Sequence, residues 1–236
     1  MCRLLAVTNF DIKTHKELLR NFLALAQFGK VLPGDLPGHL DGWGIGWYEG
    51  GEARTEKSGN SAIAETSRIN ELLERIGNSK LLIAHLRKSA WENTSVERHA
   101  HPFEFQNTIF AHNGTVRDFQ KNLALLKPEF APAPDSKDTE VFFRYILQNS
   151  KGQEFKTGLE NSIDYVKTNN TYTSLNLLMT DGKSLLALRE YADKPGFADY
   201  YTLFKSPEGI ISSEPVSKAI NWAPMKNGEF IEIKLA

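Results

Sequence analysis

The sequence predicts an antiparallel α+β fold formed by one domain, residues 1–236. Its predicted strands and helices fall in separate runs, and the C-terminal third consists mainly of strands. The clearest element there is a hairpin around Asp181-Gly182, in TSLNLLMTDGKSLLALREY. Asp-Gly between two apolar runs is the strongest short-range signal for a hairpin. A chain of 236 residues is long enough to bury a sizeable core.

The N-terminal region supplies the first strand and the first helix. CRLLAVTNF is an apolar run typical of a buried strand. THKELLRNFLALAQFGK predicts a helix, with Thr14 and Glu17 at capping-box spacing and Gly29 as the C-cap. The aromatic, glycine-rich DGWGIGWYEGG predicts a strand that another backbone approaches closely.

The remaining elements follow from the same apolar patterns. Two strands, KLLIAHLRKSA and FQNTIFAHNGTV, each end in polar residues capable of chemistry. Further helices are predicted in TSRINELLERIG, TVRDFQKNLALL, DTEVFFRYILQNS and GQEFKTGLENSIDYVKT, and further strands in ADYYTLFKS, GIISSEPV and GEFIEIKLA.

Composition narrows the class of protein. A hydrophobic content of 41%, a charged content of 24% and a net charge of −1 are ordinary for a soluble globular protein and do not favour binding to nucleic acid or to an anionic membrane. No apolar run approaches the roughly 18 residues that span a bilayer, and the N-terminus does not resemble a signal peptide. With its single cysteine the chain is expected to be cytoplasmic.

That single cysteine is Cys2. Methionine is normally removed before a small residue, so we expect the mature chain to begin at Cys2. A free α-amine has a pKa of roughly 7.7–8.0, which suits a general base at neutral pH. An N-terminal cysteine would thus carry its own base beside its nucleophile. The alternative is a small buried hydrophobic residue, and on position alone the two readings are about equal.

Three further sites have both a structural and a chemical interpretation. Arg87 ends a strand and is either a surface residue or a clamp for a substrate carboxylate. Asn113-Gly114 is either a turn or an oxyanion hole built from a side-chain amide and a backbone N–H. Asp138 lies at a predicted helix start, where an N-cap role is favoured over binding an ammonium group.

His99 and His101 do not predict a metal site. Their i, i+2 spacing next to Pro102 differs from the i, i+4 spacing of a helical zinc site, and no thiolates accompany them. A structural loop is the better interpretation, and no cofactor is expected.

The order of these motifs carries more information than any one of them. Cys2, DGWGIGW, AHLR, HPF, AHNG and DTE occur in this sequence along the chain. Together they resemble the class II glutamine amidotransferase domain, the N-terminal-nucleophile type. LNLLMTDG, GIISSEPV and APMKNGEFIEIKL also resemble the stand-alone branch of that family, so the resemblance covers essentially the whole chain.

The resemblance implies a four-layer αββα sandwich and a role for each matching residue. Cys2 would be the nucleophile, Asn113 and Gly114 the oxyanion hole, Arg87 the ligand of the substrate α-carboxylate, and Asp138 the ligand of its α-ammonium. It also implies roles for the DGWGIGW strand, the His101 loop and Ser213–Pro215, but the residues do not say which.

The implied activity is hydrolysis of the γ-amide of glutamine, or of another γ-glutamyl amide, through a thioester. Stand-alone relatives cleave γ-glutamyl bonds in peptide-like substrates, and we favour autonomous hydrolysis slightly. The alternatives are a glutaminase subunit that delivers ammonia to a separate synthase, and a degenerate, non-catalytic binding module. The retained polar positions argue against the last.

Overall fold

The computed structural model describes residues 2–235. The predicted removal of Met1 therefore concerns a residue outside the described part. Within residues 2–235, no helix is both long and apolar enough to cross a membrane.

The strands form two antiparallel sheets. They are β1 (Arg3–Asp11), β2 (Trp43–Glu49), β3 (Glu52–Ser58), β4 (Asn78–Leu86), β5 (Phe103–Phe105), β6 (Thr108–Val116), β7 (Tyr172–Thr180), β8 (Ser184–Arg189), β9 (Phe204–Lys205), β10 (Ile210–Ser212), β11 (Ala223–Pro224) and β12 (Glu229–Lys234). The larger sheet has the order β11-β9-β10-β1-β4-β2-β3, and the smaller has the order β12-β8-β7-β6-β5.

The helices cover the outer faces of the sheets. They are α1 (Ile12–Phe28), α2 (Thr66–Ile76), α3 (Gln120–Leu123), α4 (Asp138–Ser150), α5 (Phe155–Asn169) and α6 (Phe197–Tyr200), with 3-10 turns at Glu97–His99 and Pro128–Phe130. Three apolar clusters separate the layers. One packs α1 and α2 on the larger sheet, one packs α4 and α5 on the smaller, and the third lies between the sheets.

Side chains of β1 alternate between the two faces of the strand, so β1 contributes residues to two of these clusters. Leu5 and Val7 belong to the cluster with α1 and α2, whereas Leu4 and Ala6 belong to the cluster between the sheets. Successive side chains of a strand point to opposite faces, so a strand buried on both sides is apolar throughout. This arrangement confirms the expected α+β class and the four-layer αββα sandwich.

The hairpin at Asp181-Gly182 and the close approach at the glycine-rich strand are both confirmed. β7 pairs with β8 across Asp181-Gly182. In β2, a Cβ at Gly44 would lie 2.3 Å from the His101 carbonyl oxygen, and one at Gly46 would lie 2.8 Å from Ile109 Cγ2. Glycine at both positions allows the two sheets to approach each other here.

Several local predictions were wrong. Helix α1 begins at Ile12 and is capped by Asp11, whose side chain accepts a hydrogen bond from the Lys13 N–H at 2.8 Å, so Thr14 and Glu17 form no capping box. Gly29 is the C-cap, as predicted. TVRDFQKNLALL is mostly not helical, because its first residues continue β6 and only Gln120–Leu123 forms a helix. ADYYTLFKS is largely not a strand, since it contains the end of α6.

Candidate active site

Strand register places the predicted nucleophile beside the predicted arginine. Arg3 of β1 pairs with Leu86 of β4, so Cys2 and Arg87 immediately beyond them are adjacent. Cys2 is buried, and its Sγ lies 3.6 Å from the Lys88 carbonyl oxygen. Burial raises the pKa of the thiol, and the charges of Arg87 and Arg3 oppose that rise.

Asn113 joins the two sheets at this point. It lies in β6, is fully buried, and its Oδ1 accepts a hydrogen bond from the Cys2 backbone nitrogen at 3.0 Å. Its Nδ2 is buried and makes no hydrogen bond to any described residue. Buried amide donors almost always have a partner, so the Asn113 amide, held at the Cys2 backbone nitrogen, has a donor available.

Gly114 follows Asn113 on the same strand. A Cβ at this position would lie only 1.8 Å from the Ser174 carbonyl oxygen of β7, so no larger residue fits without moving the strand. The register also shifts between Gly114 and Val116. The AHNG motif is therefore part of a strand with a local irregularity, not the turn that its composition also allowed.

Arg87 is buried and its guanidinium is held within the protein. Nη1 donates to the Thr94 carbonyl oxygen at 2.6 Å and to the Asp41 carbonyl oxygen at 3.3 Å. Nη2 donates to Thr94 Oγ1 at 2.8 Å and to Ser89 Oγ at 3.0 Å. A substrate carboxylate at this arginine has to share or replace these contacts.

Asp138 is not the N-cap of α4, which corrects the structural interpretation favoured from its sequence position. Lys137 occupies the cap position, and Asp138 is the first helical residue. Its Oδ2 accepts from the Val116 N–H at 2.9 Å, and its Oδ1 accepts from the Trp91 indole Nε1 at 2.8 Å. Burial raises the pKa of Asp138, while these two hydrogen bonds favour the charged carboxylate.

One pocket brings most of the predicted residues together. Its walls include Cys2, Arg87, Gly114 and Asp138. We call it the glutamyl pocket, after the part of the substrate that the resemblance assigns to it. Its volume is about 30 Å³, enough for about one or two water molecules. Asn113 is not in its wall but contacts Cys2 from behind.

The histidines of the region are buried, and two of them, His99 and His101, line the glutamyl pocket. His101 lines the glutamyl pocket and its Nδ1 lies 3.1 Å from the His112 carbonyl oxygen. Its ring packs 4.3 Å from the ring of His85. Burial lowers the pKa of His101 and of His85 well below the usual value. His99 also lines the pocket, and burial lowers its pKa. Within residues 2–235, no group of three or more potential ligands could hold a metal ion.

Asp41, the first residue of DGWGIGW, organises the loop that carries Thr94. Its Oδ2 accepts from the Ser89 N–H at 2.8 Å and its Oδ1 from Ser95 Oγ at 3.1 Å. Sequence reasoning singled out this motif but gave it no role. The structure shows that it fixes the segment on which the Arg87 contacts depend.

The Ser213–Pro215 segment contacts Arg3 and Leu4, the two residues that follow Cys2. Ser213 exchanges backbone and side-chain hydrogen bonds with Leu4, both at 2.9 Å. Glu214 Oε1 lies 2.7 Å from Nε of the fully buried Arg3, whose Nη1 donates to the Cys2 carbonyl oxygen at 3.3 Å. The sequence did not predict that Arg3 and Leu4 contact Ser213 and Glu214, because over two hundred positions separate the two segments. The SEP motif was the one signal that marked the second segment.

Comparison with known proteins identifies a family for this chain. The family model for class II glutamine amidotransferases matches residues 1–195. An uncharacterized protein of Methanocaldococcus jannaschii is 28% identical over 96% of this chain. The chain spans 61% of the length of that relative.

Solved structures share the fold. A glutamine aminotransferase class-II domain protein from Silicibacter pomeroyi has a TM-score of 0.66 at 17% identity, covering 99% of this chain and 95% of that one. Glutamine phosphoribosylpyrophosphate amidotransferase from B. subtilis has a TM-score of 0.68 at 17% identity, covering 99% of this chain and 47% of the other. The family match, the αββα sandwich and the grouped motif residues lead to one conclusion: this chain belongs to the class II glutamine amidotransferase family.

Proposed function

We propose that the chain hydrolyses the γ-amide of glutamine or of another γ-glutamyl amide through a thioester on Cys2, releasing glutamate. The observation that carries this proposal is the pair of roles available to Asn113. Its Oδ1 holds the Cys2 nitrogen at 3.0 Å, and its buried Nδ2 has no partner among the described residues. A preorganised donor beside a nucleophile is what an oxyanion hole requires.

The first step needs Cys2 at the N-terminus of the mature chain. Its amine then takes the proton of the thiol, and the sulfur attacks the γ-carbonyl carbon. Asn113 Oδ1 orients the amine. Asn113 Nδ2 and the Gly114 N–H stabilise the oxygen as it becomes negative. The C–N bond breaks, and the leaving nitrogen takes the proton from the Cys2 ammonium. Water then cleaves the thioester and regenerates the thiol.

Arg87 and Asp138 hold the amino-acid end of the substrate. Their opposite charges match the α-carboxylate and the α-ammonium that glutamine and every γ-glutamyl amide share. Fixing this end makes attack by the thiol effectively unimolecular. Both side chains are buried in the wall of one pocket, so an unpaired substrate charge there would be costly.

A second candidate is a glutaminase subunit that delivers ammonia to a separate synthase. The small volume of the glutamyl pocket, about 30 Å³, and the internal contacts of Arg87 with Thr94 favour this reading. A subunit of this kind should form its site only with its partner, which prevents wasteful hydrolysis. Turnover by the purified chain alone supports the first candidate, and turnover only after a co-purifying protein is added supports the second.

Glutamate release tests the proposal. Purified chain that begins with Cys2 is compared with Cys2→Ala and with a chain that has a lysine inserted between Met1 and Cys2, which blocks removal of the methionine. Both changes should abolish release while leaving the melting temperature unchanged. Full activity in either would refute the N-terminal nucleophile. Binding of glutamine without release by any form would instead support a non-catalytic binding module.

A further inference from the structure

Arg3 is the one charged residue in the run Cys2–Phe10, and it is fully buried. Successive side chains of a strand point to opposite faces, so Arg3 points to the same face of β1 as Leu5 and Val7. Those two residues belong to the apolar cluster under α1 and α2. The alternation therefore favours an apolar residue at position 3, and a buried charge there requires a separate reason.

Glu214 supplies the charge that pairs with Arg3. Its Oε1 lies 2.7 Å from Arg3 Nε and also accepts a hydrogen bond from the Lys30 N–H at 2.8 Å. Replacing a buried ion pair by uncharged side chains is often neutral or stabilising, because the cost of desolvating two charges offsets their attraction. The pair is therefore weak evidence for a role in stability, and its place next to Cys2 indicates a different role.

The three nitrogens of the Arg3 guanidinium contact three different segments. Nε faces Glu214, Nη1 donates to the Cys2 carbonyl oxygen at 3.3 Å, and Nη2 donates to the Lys30 carbonyl oxygen. The rigid, planar fork of arginine suits such divergent contacts, whereas the ammonium of a lysine is a single point charge. One side chain thus ties the Cys2 backbone both to the segment that follows α1 and to the Ser213–Pro215 segment.

Strand β1 needs such a tie because its pairing on one side stops before Cys2. Its register with β10 ends at Leu5, and two hydrogen bonds between Leu4 and Ser213 extend the contact by one residue. The ion pair follows directly after these bonds. Chain termini are poorly ordered unless they are tied down, so a mature chain that begins with Cys2 depends on this contact to hold its first residue.

We propose that the Arg3–Glu214 ion pair positions the N-terminal nucleophile by holding the Cys2 backbone. The Cys2 amine then stays at Asn113 Oδ1, 3.0 Å away, and the sulfur keeps its place in the wall of the glutamyl pocket. The inference rests on the proposed function. Neither member of the pair lines that pocket, so both are positioning residues that act through Cys2. A reacting group misplaced by about 1 Å can lower the rate about 10²-fold, so the effect should fall on kcat.

A double replacement in chain that begins with Cys2 separates position from stability. Arg3→Met with Glu214→Gln removes both charges, so neither is left buried without its partner, and the glutamine keeps an oxygen for the Lys30 N–H. We expect a folded chain whose kcat for glutamate release from glutamine is lowered about 10²-fold. KM should change less than about twofold, because the contacts of the glutamyl end are intact. A merely structural pair would lower the melting temperature and leave the kcat of the folded sample unchanged.

Two further variants are the controls. Lys205→Met with Glu229→Gln removes an ion pair between β9 and β12 whose members do not line the glutamyl pocket, and it should leave kcat unchanged. Arg3→Lys retains the charge next to Cys2 but not the three-way contact, so kcat should fall nearly as far as in the Arg3 double replacement. Full kcat with Arg3→Lys would show that charge alone matters and would overturn the positioning role.

Amide hydrogen exchange measures the positioning without any turnover. In the Arg3→Met, Glu214→Gln chain, exchange in the N-terminal peptide should rise about tenfold or more, while exchange in the rest of the chain matches the parent. Unchanged kcat, unchanged N-terminal exchange, or an equal rise throughout the chain would overturn the positioning role. If parent chain that begins with Cys2 releases no glutamate from any γ-glutamyl substrate, the proposed function fails, and the exchange measurement still decides whether the pair holds Cys2.

Discussion

The glutamyl pocket differs from a second cavity in how its polar groups are satisfied. This larger cavity has a volume of about 290 Å³ and is lined by Lys30, Val31, Pro33, Gly196, Asp199 and Tyr200. In the glutamyl pocket, Arg87 donates four hydrogen bonds to protein atoms and Asp138 accepts two. In the larger cavity, the Tyr200 hydroxyl has no partner among the described residues, and the Lys30 ammonium forms no ion pair within residues 2–235.

The difference shows that burial decides whether protein atoms must pair a charged side chain. Arg87 and Asp138 are buried charges, which are costly unless paired, so protein atoms satisfy them and fix their positions. The Lys30 side chain is exposed, so water solvates its ammonium, whereas the Tyr200 hydroxyl is buried without a partner among the described residues. We infer that the glutamyl pocket sets the position of the amino-acid end that glutamine and every γ-glutamyl amide share.

The largest expected effect that separates the two cavities is at Arg87. Arg87→Met removes both the charge and the two-pronged contact to a carboxylate, and leaves the substrate carboxylate unpaired. Because the contact is buried, we expect kcat/KM to fall by the equivalent of about 2–5 kcal/mol of transition-state stabilisation. The fall should be equal for glutamine and γ-glutamyl-alanine. Equal losses are expected because both substrates carry the same α-carboxylate. Steady-state kinetics on both substrates checks this, and unchanged kcat/KM would remove Arg87 from the site.

Asn113 should give a loss that is also common to both substrates but falls on kcat. Asn113→Asp keeps an oxygen that can hold the Cys2 nitrogen and removes the Nδ2 donor. Removing one oxyanion donor typically lowers kcat by about 10²–10³. Asn176, which pairs with Asn113 across β6 and β7, is the contrasting position, because its Oδ1 and Nδ2 are both bonded within the protein.

Asn176→Asp therefore serves as the control for Asn113→Asp. It should lower the melting temperature, since it breaks the contact of Nδ2 with the Tyr201 carbonyl oxygen, while a folded sample retains kcat. If Asn113→Asp raises KM alone, Asn113 has a ground-state binding role instead.

A third expected effect concerns acid, because buried histidines whose pKa is lowered by burial lie around the glutamyl pocket. Burial lowers the pKa of His112 from 6.5 to about 4. The unfolded chain takes up a proton below pH 6.5 and the folded chain does not, so stability is complete above pH 6.5 and falls as the pH is lowered towards 4. His112 alone should lower the free energy of unfolding by about 3 kcal/mol between pH 6.5 and pH 4.

Denaturant unfolding at several pH values measures this effect. His112→Gln should make the dependence between pH 6.5 and pH 4 shallower without abolishing it, because His85 and His101 remain. A free energy of unfolding that does not change across that range in the parent chain would contradict a neutral buried His112.

Local patterns predicted much of the fold, because strands and helices buried on defined faces leave a period in the sequence. The hairpin at Asp181-Gly182 is an example. ADYYTLFKS failed because Gly196, in the left-handed region at φ 79°, reverses the chain and starts a short helix. Tertiary burial of Tyr200 and Tyr201 then decides the conformation of a segment whose composition favours a strand.

The sequence motifs predicted the residues that line the candidate site. Cys2, Arg87, Gly114 and Asp138 do share one pocket, with Asn113 behind the nucleophile. Their catalytic roles remain proposals. Pairings such as Arg3 with Glu214 could not be predicted, because each is a contact between distant segments and neither partner marks the other in the sequence.

Covalent capture of Cys2 tests the central claim most directly. A glutamine analogue with an electrophilic ketone at the γ-position is added to chain whose mass shows that it begins with Cys2, and the adduct is located by peptide mass mapping. We predict one adduct, on the N-terminal peptide at the Cys2 sulfur, with glutamate protecting against it and the lysine-inserted chain unlabelled. An adduct at any other residue, or a folded chain that begins with Cys2 and forms none, would contradict the account.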